Sequence, residues 1–146
     1  MRIHDILAKK DITSIYSVAP EATVYDAIAQ MADKNVGAIL VTRDGSLQGI
    51  MTERDYLREI ALKGRSSRET PVADIMTRKV IYIEPGCGVD EALNIMTEKR
   101  IRHLPVLDGP TIMGVVSIGD LVKAKVQRHE MHIRTLEAYI AGDYPA

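Results

Sequence analysis

The sequence predicts an α+β fold: two pseudo-symmetric βαββα units packed sheet to sheet, followed by a C-terminal helical extension. One observation behind this is a repeat. Residues 20–57 align without a gap onto residues 85–122 at a constant shift of 65, and eight pairs are identical: Pro20/Pro85, Val24/Val89, Ala27/Ala92, Met31/Met96, Lys34/Lys99, Val41/Val106, Gly49/Gly114 and Asp55/Asp120. The apolar positions between them match in kind, as in Ile28/Leu93, Val36/Ile101, Ile39/Leu104, Ile50/Val115 and Leu57/Val122. In both copies the periodicity reads strand, helix, strand, strand, helix. One such unit cannot cover its own sheet, so the two are expected to pack face to face and leave two equivalent clefts.

In chain order, a leader opens each unit, His4-Asp5-Ile6-Leu7 and Ala73-Asp74-Ile75-Met76, followed by an extended segment such as Val80 to Ile83. Thr23 and Asp26 then stand at the cap and third position of a helix whose Val24, Ala27, Ile28 and Met31 share one face. The second copy has Val89, Ala92, Leu93 and Met96, with Glu91 in the Asp26 place. Both helices are expected to stop near Lys34 and Lys99. Gly37 to Thr42, the turn Arg43-Asp44-Gly45-Ser46 and Leu47 to Met51 read as a hairpin, repeated as His103 to Leu107, Asp108-Gly109-Pro110 and Thr111 to Val116. Pro105 points to an irregular or edge position, because it cannot donate to a ladder.

After each hairpin a second helix opens, at Thr52 or Ser117. Lys63 to Thr70 (KGRSSRET) is polar and reads as an exposed connector. From Val122 to Ile140 the chain reads as helical, with Gly142 and Pro145 ending it. The expected division is therefore a first repeat over 3–62, a connector over 63–71, a second repeat over 72–127 and a helical tail over 128–146.

A chain of 146 residues fits one compact domain or an intimate pair of half-domains. Hydrophobic residues make up 46% without Trp or Phe, so Ile, Leu, Val, Ala and seven adaptable Met must build the core. A net charge of −1 provides no field for a phosphate backbone and counts against nucleic-acid binding. The single Cys87 cannot form an intramolecular disulfide, the N-terminus lacks the apolar core of a secretory signal, and no apolar run approaches the roughly 18 residues of a membrane span. The expectation is a soluble cytoplasmic protein without membrane or nucleic-acid partners.

Thr52-Glu53-Arg54-Asp55 and Ser117-Ile118-Gly119-Asp120 each set a hydroxyl at a helix start and a carboxylate three residues on. This spacing makes an N-cap with an acidic third position, worth about 1 kcal/mol without any ligand. The same groups suit a ribose, whose adjacent hydroxyls can donate to one carboxylate, while a helix N-terminus favours phosphate. One hydroxyl can serve both as cap and as ligand contact, so both readings stand on the residues alone.

The two Asp-Ile-Leu/Met leaders, the Val-x-x-Ala helices, the Ile-Arg-His-Leu-Pro-Val strand and the closing segments Gly-Ile-Met-Thr-Glu-Arg-Asp and Gly-Val-Val-Ser-Ile-Gly-Asp resemble the tandem cystathionine-β-synthase (CBS) domain pair, or Bateman module, in its short stand-alone form. The resemblance covers most of residues 3 to 125. It implies that the Thr/Ser binds near ribose or phosphate, that the Asp holds the ribose hydroxyls, and that the closing helix of one copy faces the Arg-His strand of the other.

A main cleft would then hold Thr52, Arg54, Asp55, Arg102 and His103, with Thr77 and the backbone of Val80 and Ile81 toward an adenine edge. A second cleft would hold Ser117, Asp120, Gly37 and Ala38 with no equivalent cation, since Gly119 replaces Arg54. The resemblance further implies an adenosine nucleotide ligand (AMP, NAD or ATP), no catalysis, a homodimer, and an effector protein acted on in trans. The alternatives are a dimerisation module without ligand and a small nucleotide-processing enzyme. Arg54 and Arg102 read singly would be solvated surface charges.

Other residues carry less. Cys87 and His103 invite a nucleophile and base reading, but no oxyanion feature or third group accompanies them. A helix start can acidify a thiol, but Cys87 reads as an inert or redox-sensitive cysteine, not a catalytic one. His129 and His132 share a helical spacing without a third metal ligand. No Gly-x-x-x-x-Gly-Lys-Ser/Thr or Gly-x-Gly-x-x-Gly loop is present. Ile133, Leu136, Tyr139 and Ile140 form an apolar stripe that would complete the core or pack on another chain.

Overall fold

The computed structural model describes residues 1–9 and 15–140, apart from the side chain of Tyr139. The expected stop at Gly142 and Pro145 lies outside the described residues. Helix α1 (Ile3–Lys9) is followed by β1 (Ser17–Val18), α2 (Val24–Lys34), β2 (Ala38–Arg43), β3 (Ser46–Thr52) and the short α3 (Glu53–Tyr56). The second half runs through α4 (Val89–Lys99), β4 (His103–Asp108), β5 (Thr111–Ser117) and α5 (Ile118–Ile140). The shift of 65 survives in space. Both hairpins keep one register, Ala38 opposite Thr52 and His103 opposite Ser117, and both bulge at the same place, after Val41 and after Val106.

Local chemistry explains the boundaries. The Thr23 hydroxyl accepts from Asp26 N–H at 3.1 Å and starts α2, and α2 ends on Asn35 in the left-handed region (φ 55°). The equivalent Arg100 ends α4 with the same φ of 55°. Asp44 and Gly45 both take positive φ (52° and 78°), the requirement of a type I′ hairpin turn. Helix α3 passes into a π-helical turn, Leu57–Ala61, whereas the second copy continues as one regular helix of 23 residues.

Pro105 lies inside β4 opposite Val115 and is buried. At the equivalent place Leu40 N–H donates to the Tyr16 carbonyl at 3.3 Å. Proline cannot make that bond. The first sheet accordingly has three strands in the order β1-β2-β3, with β1 parallel to β2, while the second has only β4-β5, and its first strand shrinks to a bridge between Ile83 and Val106.

The two cores exchange their leaders. Val24, Ala27, Met31, Ile39 and Met51 of the first repeat pack with Val72, Ile75 and Met76, which open the second repeat in sequence. Val89, Ala92, Met96, Leu104 and Leu121 pack with Ile3 and Ile6. Backbone bonds repeat the exchange: Val72 N–H to the Ala22 carbonyl (2.8 Å) matches Ile3 N–H to the Cys87 carbonyl (2.9 Å), and Ala73 to Pro20 (3.0 Å) matches His4 to Pro85 (2.9 Å). Thr77 then pairs antiparallel with Ile50 of β3, at 2.9 and 3.0 Å, and β3 and β5 meet between the halves.

The connector is only partly the exposed loop expected of it. Thr70 is buried and its hydroxyl donates to the Ser66 carbonyl at 2.6 Å, and the Thr70 and Ser67 carbonyls accept from Val24 and Tyr25 N–H at 2.9 Å each. The Arg68 guanidinium lies 3.8 Å over the Tyr25 ring. The polar segment thus covers the donors that the first turn of α2 would otherwise leave open. No helix among the described residues is long and apolar enough to cross a membrane.

Candidate functional site

Both closing motifs form complete capping boxes. Asp55 N–H donates to the Thr52 hydroxyl at 3.2 Å and Thr52 N–H returns a bond to Asp55 Oδ2 at 2.9 Å. In the second copy Asp120 N–H reaches the Ser117 hydroxyl at 3.1 Å and Ser117 N–H reaches Asp120 Oδ2 at 2.8 Å. The capping reading of these residues is therefore realised at both sites.

The first box carries more. Thr77, brought to β3 by its leader, donates its hydroxyl toward Asp55 Oδ1 and Oδ2 at 3.3 and 3.4 Å, and the Thr52 hydroxyl also lies 3.1 Å from Oδ2. Two hydroxyls and one carboxylate thus converge at a helix start. An ionised carboxylate has about four lone-pair sites, and with Thr52 N–H and the Thr52 and Thr77 hydroxyls on it this one keeps room for about one more donor, or for two when one of those hydroxyls turns away. By the leader alignment, Ile6 onto Ile75 and Leu7 onto Met76, the position equivalent to Thr77 is Ala8, which has no hydroxyl. The two sites differ accordingly.

Arg54 reaches into the second repeat, where its Nη1 donates to the Arg100 carbonyl at 2.9 Å. Arg100 caps α4, so the guanidinium sits at a helix C-terminus, where positive charge is favoured. The arginine is anchored two residues before Arg102, whose carbonyl accepts from Ile118 N–H at 2.8 Å. The Arg102 side chain itself is exposed.

His103 and Gly37, assigned to different clefts from the sequence, are neighbours. A Cβ placed on Gly37 would lie 3.2 and 3.3 Å from the His103 ring atoms and 3.1 Å from Glu53 Oε1. Glycine at 37 is what allows the imidazole of one repeat to lie against the backbone of the other. Glu53, unremarked in the sequence, brings a carboxylate to the same spot, and only its place beside the capping threonine could have signalled it. Ala38 opens β2 opposite Thr52. Val80 N–H is turned back onto the Arg78 carbonyl at 3.0 Å, and Ile81 is half-buried against the second core.

Cys87 is half-buried just ahead of α4. Burial pushes the Cys87 thiol above its ordinary pKa, and the neighbouring Glu91 carboxylate adds to the rise. The helix start does not acidify this thiol, because desolvation and a nearby negative charge both oppose the thiolate. His129 and His132 line a groove of about 670 Å³ between α5 and the start of α4, together with Asp90, Glu91 and Arg128. Among the described residues no group of three or more His, Cys, Asp or Glu is placed to hold a metal ion.

The sequence pattern of the CBS domain matches residues 4–62 and again 72–127. The mitochondrial CBS domain-containing protein CBSX3 of Arabidopsis thaliana is 49% identical over 127 residues, 84% of this chain and 62% of that protein. A solved structure of a protein with CBS domains from Burkholderia ambifaria MC40-6 superposes with a TM-score of 0.84 at 48% identity, covering 87% of this chain and 95% of the other. Arabinose 5-phosphate isomerase KdsD of Escherichia coli (strain K12) is 34% identical over 86% of this chain, which spans only 38% of the isomerase. Matched twice, at the two places where its structure repeats itself, the chain belongs to the CBS domain family.

Proposed function

We propose that this chain is a non-catalytic regulatory module that binds an adenosine nucleotide, with AMP, NAD and ATP as the candidates, between its repeats and acts as a homodimer on a partner in trans. CBS-domain pairs are in general regulatory modules with adenosine ligands. The observation that carries the reading here is the meeting of Thr52, Asp55 and Thr77 at the start of α3. Asp55 holds the ribose hydroxyls, Thr52 and the helix start receive phosphate, and Arg54, Arg102 and His103 supply the positive side. Val80 and Ile81 border the adenine. Ser117 and Asp120 mark a weaker second site, which lacks counterparts of both Thr77 and Arg54; Gly37 and Ala38, proposed with them, border the first box as well.

A ligand that binds only the folded state raises its stability by RT ln(1 + [L]/Kd), so melting temperature reads occupancy. Wild type, Asp55→Ala and Asp120→Ala are melted with AMP, NAD and ATP. The expected outcome is a shift for at least one nucleotide that Asp55→Ala abolishes and Asp120→Ala largely keeps. The reverse pattern moves the site to the second cleft. If no nucleotide shifts the wild type, the capping boxes are structural only and the module is a dimerisation scaffold. Turnover of a nucleotide that depends on Asp55 would overturn the non-catalytic reading.

A further inference from the structure

Helix α5 runs for 23 residues, about 35 Å at 1.5 Å per residue. Its Leu121 and Ala124 are buried against the second core. A different stripe stays open. Val122, Val126, Ile133, Leu136 and Ile140 are between 47% and 84% exposed, and with the exposed His129 they follow one another at spacings of 4, 3, 4, 3 and 4 residues. That is an uninterrupted heptad seam, with Val126, Ile133 and Ile140 at a and Val122, His129 and Leu136 at d. At 100° per residue it is turned about 100° round the axis from the face holding Leu121, so the domain leaves it uncovered.

We propose that this seam joins two copies of the chain as a parallel two-stranded coiled coil, which gives the homodimer proposed above a surface and an orientation. Two features select this occupant. All three a positions are β-branched and Leu136 stands at d, the combination that favours two parallel strands, and the polar His129 at d pairs with itself in register, whereas a staggered pair would set it against apolar side chains. The flanking charges select the direction. Lys125 and His132 stand at g, and Glu130 and Glu137 stand at e.

In a parallel pair each g side chain faces the e side chain five residues on in the other copy, so Lys125 meets Glu130 and His132 meets Glu137. An antiparallel pair centred on the seam would set Glu130 against Glu130 and Lys125 against His132, and only Lys123, also at e, would find a Glu137, so the parallel pairing makes more opposite-charge contacts. Lys125 pairs with Asp90 of its own chain at 2.9 Å, but the two side chains are 45% and 77% exposed, and an ion pair so open to water holds its lysine only weakly. Under three heptads is short for an isolated coil, so the seam works with the folded domains it extends.

The test uses the full chain with Cys87→Ser and a single new cysteine, oxidised without nucleotide so that the result does not depend on ligand binding. Leu136→Cys lies at d, within disulfide reach of itself across a parallel seam, and Arg134→Cys points away from it. Leu136→Cys is expected to give disulfide dimers about tenfold faster than Arg134→Cys, because only the former pair meets the disulfide's distance requirement.

Equal rates, or no dimer from Leu136→Cys while light scattering still shows one, would place the contact elsewhere and overturn the proposal. A monomer would overturn it too. A second arm guards against misfolding: Glu130→Lys/Glu137→Lys is expected to dissociate alone and to form mixed dimers with Lys125→Glu/His132→Glu. Failure of that mixture to associate would count against the parallel seam.

Discussion

Gly49 has no room for a methyl group. A Cβ there would lie 2.7 Å from Met76 Sδ and 2.9 Å from the Thr77 carbonyl oxygen. The methionine can swing aside, but the carbonyl cannot, because it accepts from Ile50 N–H at 3.0 Å in the bridge that ties the second leader to β3. Gly49→Ala is therefore expected to cost about 1–3 kcal/mol by overpacking, measured as a lower urea midpoint at unchanged m-value. Gly86→Ala, with nothing within 4 Å of its Cβ, serves as the neutral control. Because the same bridge delivers Thr77 to Asp55, Gly49→Ala should also weaken any nucleotide-induced melting shift. That links a packing residue to the proposed site.

Helices α2 and α4 are equivalent elements with unequal starts. Thr23 caps α2 through its hydroxyl, while Gly88, at nearly the same dihedral angles (φ −75°, ψ 152° against −74° and 152°), offers α4 no side-chain cap. A Cβ at Gly88 would meet nothing within 4 Å. Gly88→Ser should place a hydroxyl where Thr23 has one, complete a box with Glu91, and remove glycine's freedom from the unfolded chain. The expected gain is about 0.5–1 kcal/mol, and Thr23→Ala should lose about 1 kcal/mol, both read by denaturant melts. Elements of this kind were legible in the sequence, since caps, apolar stripes and hairpin turns act over a few residues. The loss of the first strand beside Pro105 was legible only as an irregularity, because the missing bond is to a segment more than twenty residues away.

At the scale of the molecule, the exchange of leaders escapes a repeat alignment for a definable reason. The repeats match at a shift of 65, but Ile6 and Leu7 match Ile75 and Met76 at a shift of 69, so the leaders fall outside the ungapped block. Their one trace inside it is the identical pair Gly49 and Gly114, the positions where Met76 and Leu7 press closest. Thr52 and Asp55 could be read from spacing, and Thr77 from resemblance, whereas the neighbourhood of Gly37, Glu53 and His103 depends on the approach of the two halves. The exchange means that neither sequence repeat owns its core. A chain cut at the exposed Gly64 would leave Ile3 and Ile6 on one fragment and the core they fill on the other, with Val72, Ile75 and Met76 stranded in the opposite sense. Each lost Ile or Met is worth about 2–5 kcal/mol, comparable in sum to the whole stability of a small domain. Fragments 1–64 and 65–146 are thus each expected to lack a cooperative thermal transition by circular dichroism and to regain one on mixing in equal amounts. A cooperative transition in either fragment alone would show that a repeat can close its core without the other's leader.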